Sequence, residues 1–215
     1  MKKIMSLLIA LLLPVMLFTA NADAAKYIEG KHYIKVSETA SSKPEVREYF
    51  SFYCPHCRSF EPFAAVIEKG LPDNVSFVRN HVDFLRAASP EIQFMLTKAV
   101  VVAQLMEMEH KLSGALFNYI QVQKAMISSE KDIRNVFVLN GADGAKFDKL
   151  MKSFSVNSRA KSLKRSQDSM SAKRALTGVP AVFVNGQYRI NPQELDRANF
   201  EKDYNNLVHY LLTLK

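Results

Sequence analysis

The chain has 215 residues, 48% of them hydrophobic, and a formal net charge of +8. This length suits one domain, or one domain that carries a subdomain, and the apolar content excludes a chain too polar to build a core. The positive charge does not by itself indicate a nucleic-acid-binding protein, because much of it lies in one segment near residue 165.

The N-terminal segment has the pattern of a secretory signal peptide. Lys2 and Lys3 give a basic start, an apolar stretch covers residues 4–18, and a small-x-small cleavage motif ends at Ala24. The apolar stretch is short for a membrane span, so a retained anchor is the less favoured alternative. We expect cleavage after Ala24, which removes two lysines and one aspartate and lowers the formal charge from +8 to +7. Export would bring the chain into an oxidising compartment, where a cysteine pair can be kept oxidised.

The mature chain is predicted to begin with three strands and one helix. Residues 33–36 give a weak first strand, and residues 46–52 give an apolar, aromatic-rich second strand. A helix over residues 57–69 ends at Gly70, and alternating apolar residues predict a third strand over residues 75–82.

From about residue 86 to residue 165 every pattern is helical. A helix begins at Pro90 and runs through Met106. We expect Gly114 to interrupt the helical run before a helix over residues 116–126.

Two further helices are predicted before the basic segment. Ser129 is expected to cap a helix that ends near Asn140. Apolar residues three, four and seven positions apart predict another, whose shared face is formed by Phe147, Leu150, Met151 and Phe154.

A long basic helix then leads to Leu176. Against the single acid Asp168, its segment carries Arg159, Lys161, Lys164, Arg165, Lys173 and Arg174. A patch for nucleic acid or anionic membrane is one interpretation. We favour the solvent-exposed face of a helix, because no aromatic residue is interleaved with the basic ones and an exported protein meets little nucleic acid.

After Gly178 the strand pattern returns. Residues 180–184 and 187–190 flank Asn185-Gly186, which is a strong signal for a two-residue hairpin turn. These residues therefore predict two paired antiparallel strands.

Asp196 or Asn199 can cap a final helix. The resulting order is β-β-α-β, a run of helices, and then β-β-α, which predicts an α/β sheet domain interrupted by an all-helical insertion. We expect the sheet domain to comprise residues 25–85 and 166–215, and the insertion to comprise residues 86–165.

The motif Cys54-Pro55-His56-Cys57 holds both cysteines of the chain. It lies between the second predicted strand and the first helix, so its first sulfur is expected at a helix N-terminus. There the unpaired backbone N–H groups and the positive end of the helix dipole favour a thiolate over a thiol. The motif therefore predicts a redox-active dithiol.

Three other interpretations of the cysteines are open. A structural disulfide that closes so short a loop would contribute only about 2 kcal/mol. A structural zinc site needs a second cysteine pair or suitably spaced histidines, and the sequence has neither. Two inert buried thiols are disfavoured because the residues between the cysteines are polar and turn-forming.

Glu48 is a carboxylate within an apolar strand. Because side chains alternate along a strand, it shares one face with Val46, Phe50 and Phe52, and that face leads toward Cys54. We expect Glu48 to be buried near the dithiol; an edge position open to water is the alternative.

This layout resembles the DsbA family of periplasmic thiol:disulfide oxidoreductases, which have a thioredoxin fold with a helical insertion. The resemblance covers essentially the whole mature chain. Its most specific parts are FSFYCPHC over residues 50–57 and GVPAVFVNG over residues 178–186.

The resemblance implies that Cys54 is the exposed nucleophile and Cys57 its buried partner, within a catalytic motif completed by Pro55 and His56. His56 is expected to favour the Cys54 thiolate, through a hydrogen bond or through its own positive charge.

The resemblance also assigns roles to Val179 and Pro180. Pro180 would follow a cis peptide bond and face the disulfide, and Val179 would offer backbone hydrogen bonds to a bound peptide strand. A proline is tolerable at the head of a strand, where its missing N–H is not needed. From the residues alone, an ordinary trans turn proline is the favoured alternative.

Glu48 would, on the same resemblance, be a buried acid beneath the active site that influences its charge balance. Arg79 and Glu61 stand where such proteins tend to have charged groups, and whether they pair with Glu48 is left open.

The activity implied is that of a dithiol oxidase, which donates the Cys54–Cys57 disulfide to reduced exported polypeptides. A membrane quinone reductase of the DsbB type would reoxidise it. We expect a monomer with no tightly bound cofactor, no metal and no nucleic-acid partner. The high net charge and the absence of Trp are departures from the best-known members of the family. They put the expected substrate preference in question, but not the expected chemistry.

Two alternative functions are carried forward. A disulfide isomerase or reductase is disfavoured because residues 25–45 are too few for an N-terminal dimerisation domain. A peptide-binding chaperone with a non-catalytic disulfide belongs to a different class, and replacing Cys54 would distinguish it.

Overall fold

The computed structural model describes residues 26–214, so the expected signal peptide and its cleavage site lie outside the described residues. Within that range, no helix is both long and apolar enough to cross a membrane. The strands are β1 (Tyr33–Lys35), β2 (Glu45–Phe50), β3 (Ser76–His81), β4 (Ala181–Val184) and β5 (Tyr188–Ile190). The α-helices are α1 (Pro55–Gly70), α2 (Pro90–Leu105), α3 (Glu109–Phe117), α4 (Glu130–Leu139), α5 (Gly144–Lys152), α6 (Phe154–Ala172) and α7 (Phe200–Thr213).

The strands form one mixed sheet in the order β1-β5-β4-β2-β3. β2 pairs in parallel with β3 and antiparallel with β4, which places it inside the sheet. Both of its faces are covered, and Val46, Glu48, Tyr49 and Phe50 are all fully buried. β4 and β5 form the predicted antiparallel hairpin around Asn185-Gly186. The predicted α/β sheet domain interrupted by helices is therefore confirmed.

β2 ends two residues earlier than predicted, because the chain turns at Ser51. The backbone N–H of Cys54 donates to the Ser51 carbonyl over 3.0 Å, and the N–H of Tyr53 donates to the Ser51 hydroxyl over 3.2 Å. This active-site turn (residues 51–54) brings Cys54 to the start of α1.

Helices α2 to α6 form the insertion between β3 and β4 and supply most of one large apolar core cluster. Phe117, Phe137 and Phe147 are among its largest fully buried side chains. Phe52 and Cys57 belong to the same apolar cluster, so the insertion packs directly against the active-site turn.

The predicted interruption at Gly114 is wrong. Gly114 lies inside α3, and the helical run breaks instead between α2 and α3, at Glu107, whose φ is 59°. The helix predicted over residues 116–126 also has different bounds, since α3 ends at Phe117 and a π-helical turn (Asn118–Val122) follows it. A glycine costs a helix only about 1 kcal/mol, which packing readily overrides.

Phe154 does not share the apolar face of α5, contrary to the sequence pattern. α5 ends at Lys152, and Ser153 caps the next helix by accepting a hydrogen bond from the N–H of Val156. Phe154 is thus the first residue of α6, with 87% of its surface exposed.

The N-terminal caps of α4 and α7 were also predicted from the sequence. Ser129 is the N-cap residue of α4, as predicted, and its backbone N–H donates to the Asp132 side chain over 2.9 Å. Asn199 is the N-cap residue of α7, whereas Asp196 caps the short 3-10 turn before it. The boundary expected after residue 165 falls inside α6, so the division of the chain into 25–85, 86–165 and 166–215 stays a prediction.

Candidate active site

The two cysteines lie at the N-terminus of α1. Cys54 is the N-cap residue, and its sulfur accepts a hydrogen bond from the backbone N–H of Cys57 over 3.4 Å. Both side chains are free thiols, with 7% of Cys54 and 0% of Cys57 exposed to solvent. Burial raises the pKa of the Cys57 thiol well above its ordinary value. The helix N-terminus therefore favours negative charge at Cys54, while Cys57 is shielded from solvent.

The loop before β4 lies directly against Cys54. The Val179–Pro180 peptide bond is cis, as predicted from the resemblance. The Cys54 thiol donates to the Val179 carbonyl over 3.3 Å, which confirms that this loop meets the reactive sulfur.

A cavity of about 390 Å³ begins at this loop and continues along the sheet domain. Phe60 of α1 and Phe200 and Tyr204 of α7 contribute aromatic side chains to its lining. Val179 and Pro180 contribute its edge nearest Cys54. The cavity is thus a groove of mixed polar and apolar lining, and Val179 connects its edge to the Cys54 sulfur.

Pro55 and His56 are exposed on the first turn of α1. Within the described part of the chain, no hydrogen bond joins His56 to Cys54 in this dithiol state. The effect of His56 on the Cys54 thiolate therefore stays a prediction.

Glu48 is fully buried, as predicted, beneath the dithiol. Its Oε2 accepts a hydrogen bond from Nε of Arg79 over 3.2 Å, but its Oε1 has no hydrogen-bond partner. Burial raises the pKa of Glu48 to about 7, although Arg79 opposes the shift. The site therefore contains a carboxyl group that titrates near neutral pH, and its negative charge contributes to the raised pKa of Cys57.

Arg79 joins two carboxylates, which settles the pairing left open by the sequence. Its Nη1 donates to Oε1 of Glu61 over 2.7 Å, alongside the bond from Nε to Glu48. Its guanidinium carbon lies 4.3 Å from the centre of the Phe50 ring, a cation–π contact. Burial alone would lower the pKa of Arg79, but Glu48 and Glu61 outweigh it, so the guanidinium stays charged.

Glu109 of α3 is a further acid near Arg79 that the sequence did not indicate. Its Oε1 accepts a hydrogen bond from Gln104 over 2.8 Å. Burial raises its pKa, and Arg79 opposes that shift. The charge cluster under the dithiol thus draws on the insertion as well as on the sheet domain.

Gln121 is a second site residue that sequence reasoning missed. It lies in the π-helical turn, and its Nε2 donates to the Phe52 carbonyl over 2.7 Å and to the Cys54 carbonyl over 3.0 Å. π-Helical turns often occur at functional sites. No local pattern distinguishes Gln121 from an ordinary helical glutamine, so only the fold reveals this contact.

Gln121→Ala is expected to lower the free energy of unfolding by about 1 to 3 kcal/mol, because two partly buried carbonyls of the active-site turn lose their donor. Urea unfolding of the reduced protein measures this loss. Gln123→Ala is the matched control, since Gln123 is exposed and makes no side-chain hydrogen bond in the described chain; its effect should stay within about 0.5 kcal/mol. Equal losses in the two variants would contradict the role given to Gln121.

No group of three His, Cys, Asp or Glu side chains within residues 26–214 is arranged to hold a metal ion. The chemistry available at this site is therefore that of the sulfurs themselves. Two thiols at a helix N-terminus can exchange electrons and protons with an external thiol or disulfide.

Comparisons with known proteins agree with this geometry. Residues 45–204 match the family described as the DSBA-like thioredoxin domain. The Salmonella typhimurium thiol:disulfide interchange protein DsbA is 38% identical over 206 residues, covering 93% of this chain and 95% of the relative. The Escherichia coli DsbA is 38% identical over 197 residues, covering 89% of this chain and 91% of the relative.

Solved structures show the same similarity. The crystal structure of Proteus mirabilis DsbA has a TM-score of 0.77 and 32% identity, covering 89% of this chain and 100% of that one. The crystal structure of Pseudomonas aeruginosa DsbA has a TM-score of 0.70 and 28% identity, covering 89% of this chain and 94% of that one.

Proposed function

Because this chain belongs to the DsbA family of thiol:disulfide oxidoreductases, we propose that it acts as a dithiol oxidase on reduced polypeptides exported to the periplasm. The observation that carries the proposal is the position of Cys54. Its sulfur stands at the N-terminus of α1, is the more accessible of the two, and faces the Val179 carbonyl.

The reaction is two successive thiol–disulfide exchanges. A substrate thiolate attacks the sulfur of Cys54, the Cys54–Cys57 bond breaks, and Cys57 leaves as a thiolate that takes up a proton. A second substrate thiolate then attacks the substrate sulfur of the mixed disulfide, and Cys54 leaves as a thiolate. Two electrons pass from the substrate dithiol to the enzyme dithiol.

Solvent access and local charge both favour Cys54 over Cys57 as the sulfur that reacts with the substrate. Cys57 is fully buried, so an incoming thiolate reaches only Cys54. The N-terminus of α1 stabilises the Cys54 thiolate, which makes Cys54 a good leaving group in the second exchange. The positive charge of His56 would add to this effect.

The groove beside Cys54 supports the binding of an extended peptide. A Proteus mirabilis DsbA variant was solved with a non-covalently bound peptide, PWATCDS, at a TM-score of 0.76 and 32% identity to this chain. In the present protein, we place the cysteine of the bound substrate against Cys54. The backbone of Val179 would then hydrogen-bond to the substrate strand, and the groove would receive the residues that flank the substrate cysteine.

The cellular setting follows from the same proposal. Residues 1–24 would direct export and be removed after Ala24, and the mature protein would act in the periplasm. A membrane quinone reductase of the DsbB type would accept the two electrons and restore the Cys54–Cys57 disulfide. The catalytic chemistry itself would then require no tightly bound cofactor.

Single cysteine variants test the assigned roles. Cys57→Ser should accumulate a mixed disulfide with an unfolded substrate protein that contains a disulfide, because the Cys54 thiolate attacks that disulfide, one substrate sulfur leaves as a thiolate, and no Cys57 is present to release the adduct. Cys54→Ser should form no such adduct, and its rate of disulfide transfer should fall to the uncatalysed rate. Non-reducing gel electrophoresis after acid quenching measures both. A Cys54→Ser variant with full activity would contradict the oxidase and favour the chaperone.

The equilibrium with glutathione separates an oxidase from a reductase. An oxidase disulfide is reduced at glutathione ratios that leave a reductase disulfide intact, and the equilibrium constants of the two classes differ by powers of ten. We expect this protein on the oxidising side. An equilibrium constant in the range of thioredoxin would contradict the oxidase and support the isomerase or reductase alternative.

A further inference from the structure

The excess positive charge of the described protein is confined to one segment. Residues 26–214 contain 26 basic and 20 acidic residues, a net charge of +6. Residues 146–174, from α5 through the end of α6, contain nine basic and two acidic residues, a net charge of +7. The rest of the described chain therefore has a net charge of −1, and the protein is strongly asymmetric in charge.

Eight of the nine cations in this segment are exposed and have no salt bridge or side-chain hydrogen bond within residues 26–214. Lys164 is the exception, since it pairs with Asp83 over 2.9 Å and with Asp168 over 3.1 Å. Asp148 is likewise already paired, with Arg134 over 2.7 Å. The unpaired cations form the basic face: Lys146, Lys149, Lys152, Arg159, Lys161, Arg165, Lys173 and Arg174.

The helices present these cations outward. Lys146, Lys149 and Lys152 are three residues apart on α5, away from the buried Phe147 and Met151. α6 has 19 residues and is about 28 Å long. The basic face thus consists of exposed side chains spread along two consecutive helices, α5 and α6, and the turn that ends α6.

An exposed aromatic side chain accompanies the basic face. Phe154 follows Lys152 along the chain and precedes Arg159, and 87% of its surface is exposed. No aromatic residue lies between Arg159 and Arg174, as the sequence showed, but the start of α6 at Phe154 adds an exposed ring next to these cations. A large exposed aromatic ring among lysines and arginines is typical of surfaces that lie in the headgroup layer of a membrane.

A compact anion is a poorer fit to this surface. The cavity beside α6, of about 470 Å³, is lined by Lys161, Lys164 and Arg165, but also by Asp83, Glu91 and Asp168. A small ligand there would meet as many carboxylates as cations. The excess charge instead extends along two helices, which matches an extended anionic surface.

We propose that the basic face binds the surface of an anionic phospholipid membrane, with the Phe154 ring inserted among the headgroups. The cations contact lipid phosphates electrostatically, and the ring adds an apolar contact that salt does not screen. This activity is separate from disulfide exchange and needs no membrane protein, because the lipid surface alone supplies the charge.

Vesicle sedimentation tests the proposal on the purified protein. We compare vesicles of phosphatidylcholine with vesicles in which about a third of the lipid is phosphatidylglycerol, at about 0.1 M salt. We expect binding to the anionic vesicles alone, and replacing each cation with glutamine should weaken binding about fivefold. The test variant replaces five cations with glutamine: Lys149, Lys152, Arg159, Lys161 and Arg165.

The matched control removes the same charge from exposed, unpaired positions elsewhere in the described chain. It replaces Lys31, Lys43, Lys69, Arg86 and Lys202 with glutamine and should keep nearly all of the binding. Phe154→Ser should weaken binding about tenfold and leave the remaining binding more sensitive to salt. Unchanged disulfide transfer and an unchanged urea midpoint show that each variant is folded.

Three results would overturn the proposal. Equal losses in the two charge variants would mean that net charge alone drives binding, without a defined face. If Phe154→Ser bound the vesicles as tightly as the parent, the Phe154 ring would not be inserted among the headgroups. An absence of binding to anionic vesicles, together with binding of the parent to an acidic protein or to DNA, would assign the basic face to a different partner.

Discussion

Arg79→Met is expected to lower the free energy of unfolding by about 3 to 5 kcal/mol, because it leaves the buried Glu48 and the partly buried Glu61 without their cation. Arg79 is 2% exposed and holds both Glu48 and Glu61, and Glu48 has no other hydrogen-bond partner in the described chain. Methionine fills a similar volume above Phe50 but supplies neither charge nor donors. Urea unfolding of the reduced protein at about pH 8, where Glu48 is ionised, measures the loss.

Two further variants separate the lost ion pair from lost packing. Arg79→Met combined with Glu48→Gln should recover a large part of the stability, since one of the stranded charges is gone. Arg134→Met is the surface control: Arg134 pairs with Asp148 over 2.7 Å, but both side chains are well exposed. Its loss should stay below about 1 kcal/mol. If Arg79→Met lost no more stability than Arg134→Met, or if the double variant recovered none of the loss, the buried ion pairs would contribute no more than a surface ion pair.

Glu48→Gln is expected to make the protein more stable at pH 8, by about 3 kcal/mol. Burial raises the pKa of Glu48 from 4.5 to about 7. Between these values the folded protein keeps a proton that the unfolded chain releases, so stability falls as pH rises through this window and levels off above it. Glutamine does not titrate and mimics the protonated acid, so the variant should lose this slope.

Unfolding free energies at pH 5 and pH 8 measure the effect. The parent should lose stability between the two values, relative to Glu48→Gln, and the two proteins should be most alike at the lower pH. Glu194→Gln, at an exposed position, is the control and should keep the slope of the parent. The pH dependence of dithiol oxidation should also change in Glu48→Gln, because Glu48 contributes to the raised pKa of Cys57. Parallel pH profiles in all three proteins would contradict a buried, titrating Glu48.

Short-range patterns predicted the sheet domain and the centre of the site well. The alternation that put Glu48 on the face of Phe50 and Phe52 also predicted its burial, because a strand has only two faces. The chemistry of Cys54 could be predicted because it depends on a local feature. A helix that begins within the motif places the Cys54 sulfur at its N-terminus, where a thiolate is favoured.

Long-range contacts could not be predicted in the same way. Gln121 lies 67 residues from Cys54 along the chain, and nothing in its neighbourhood signals a bond to that residue's carbonyl. Glu109 comes near Arg79 only because α2 and α3 are separated by a turn at Glu107, whereas the sequence favoured a break at Gly114. Phe154 was assigned to the wrong helix because a serine cap, and not the apolar spacing, decides where α5 ends.

The two hydrogen bonds from Gln121 tie the insertion to the backbone of the residue whose sulfur changes its oxidation state. Displacement of the insertion and opening of the Cys54–Cys57 bond therefore share one thermodynamic cycle. If disulfide formation changes the strength of these hydrogen bonds by some factor, displacing the insertion must change the reduction equilibrium by the same factor. Under that condition, a polypeptide that displaced the insertion on binding would alter how strongly the site oxidises before any sulfur had been exchanged.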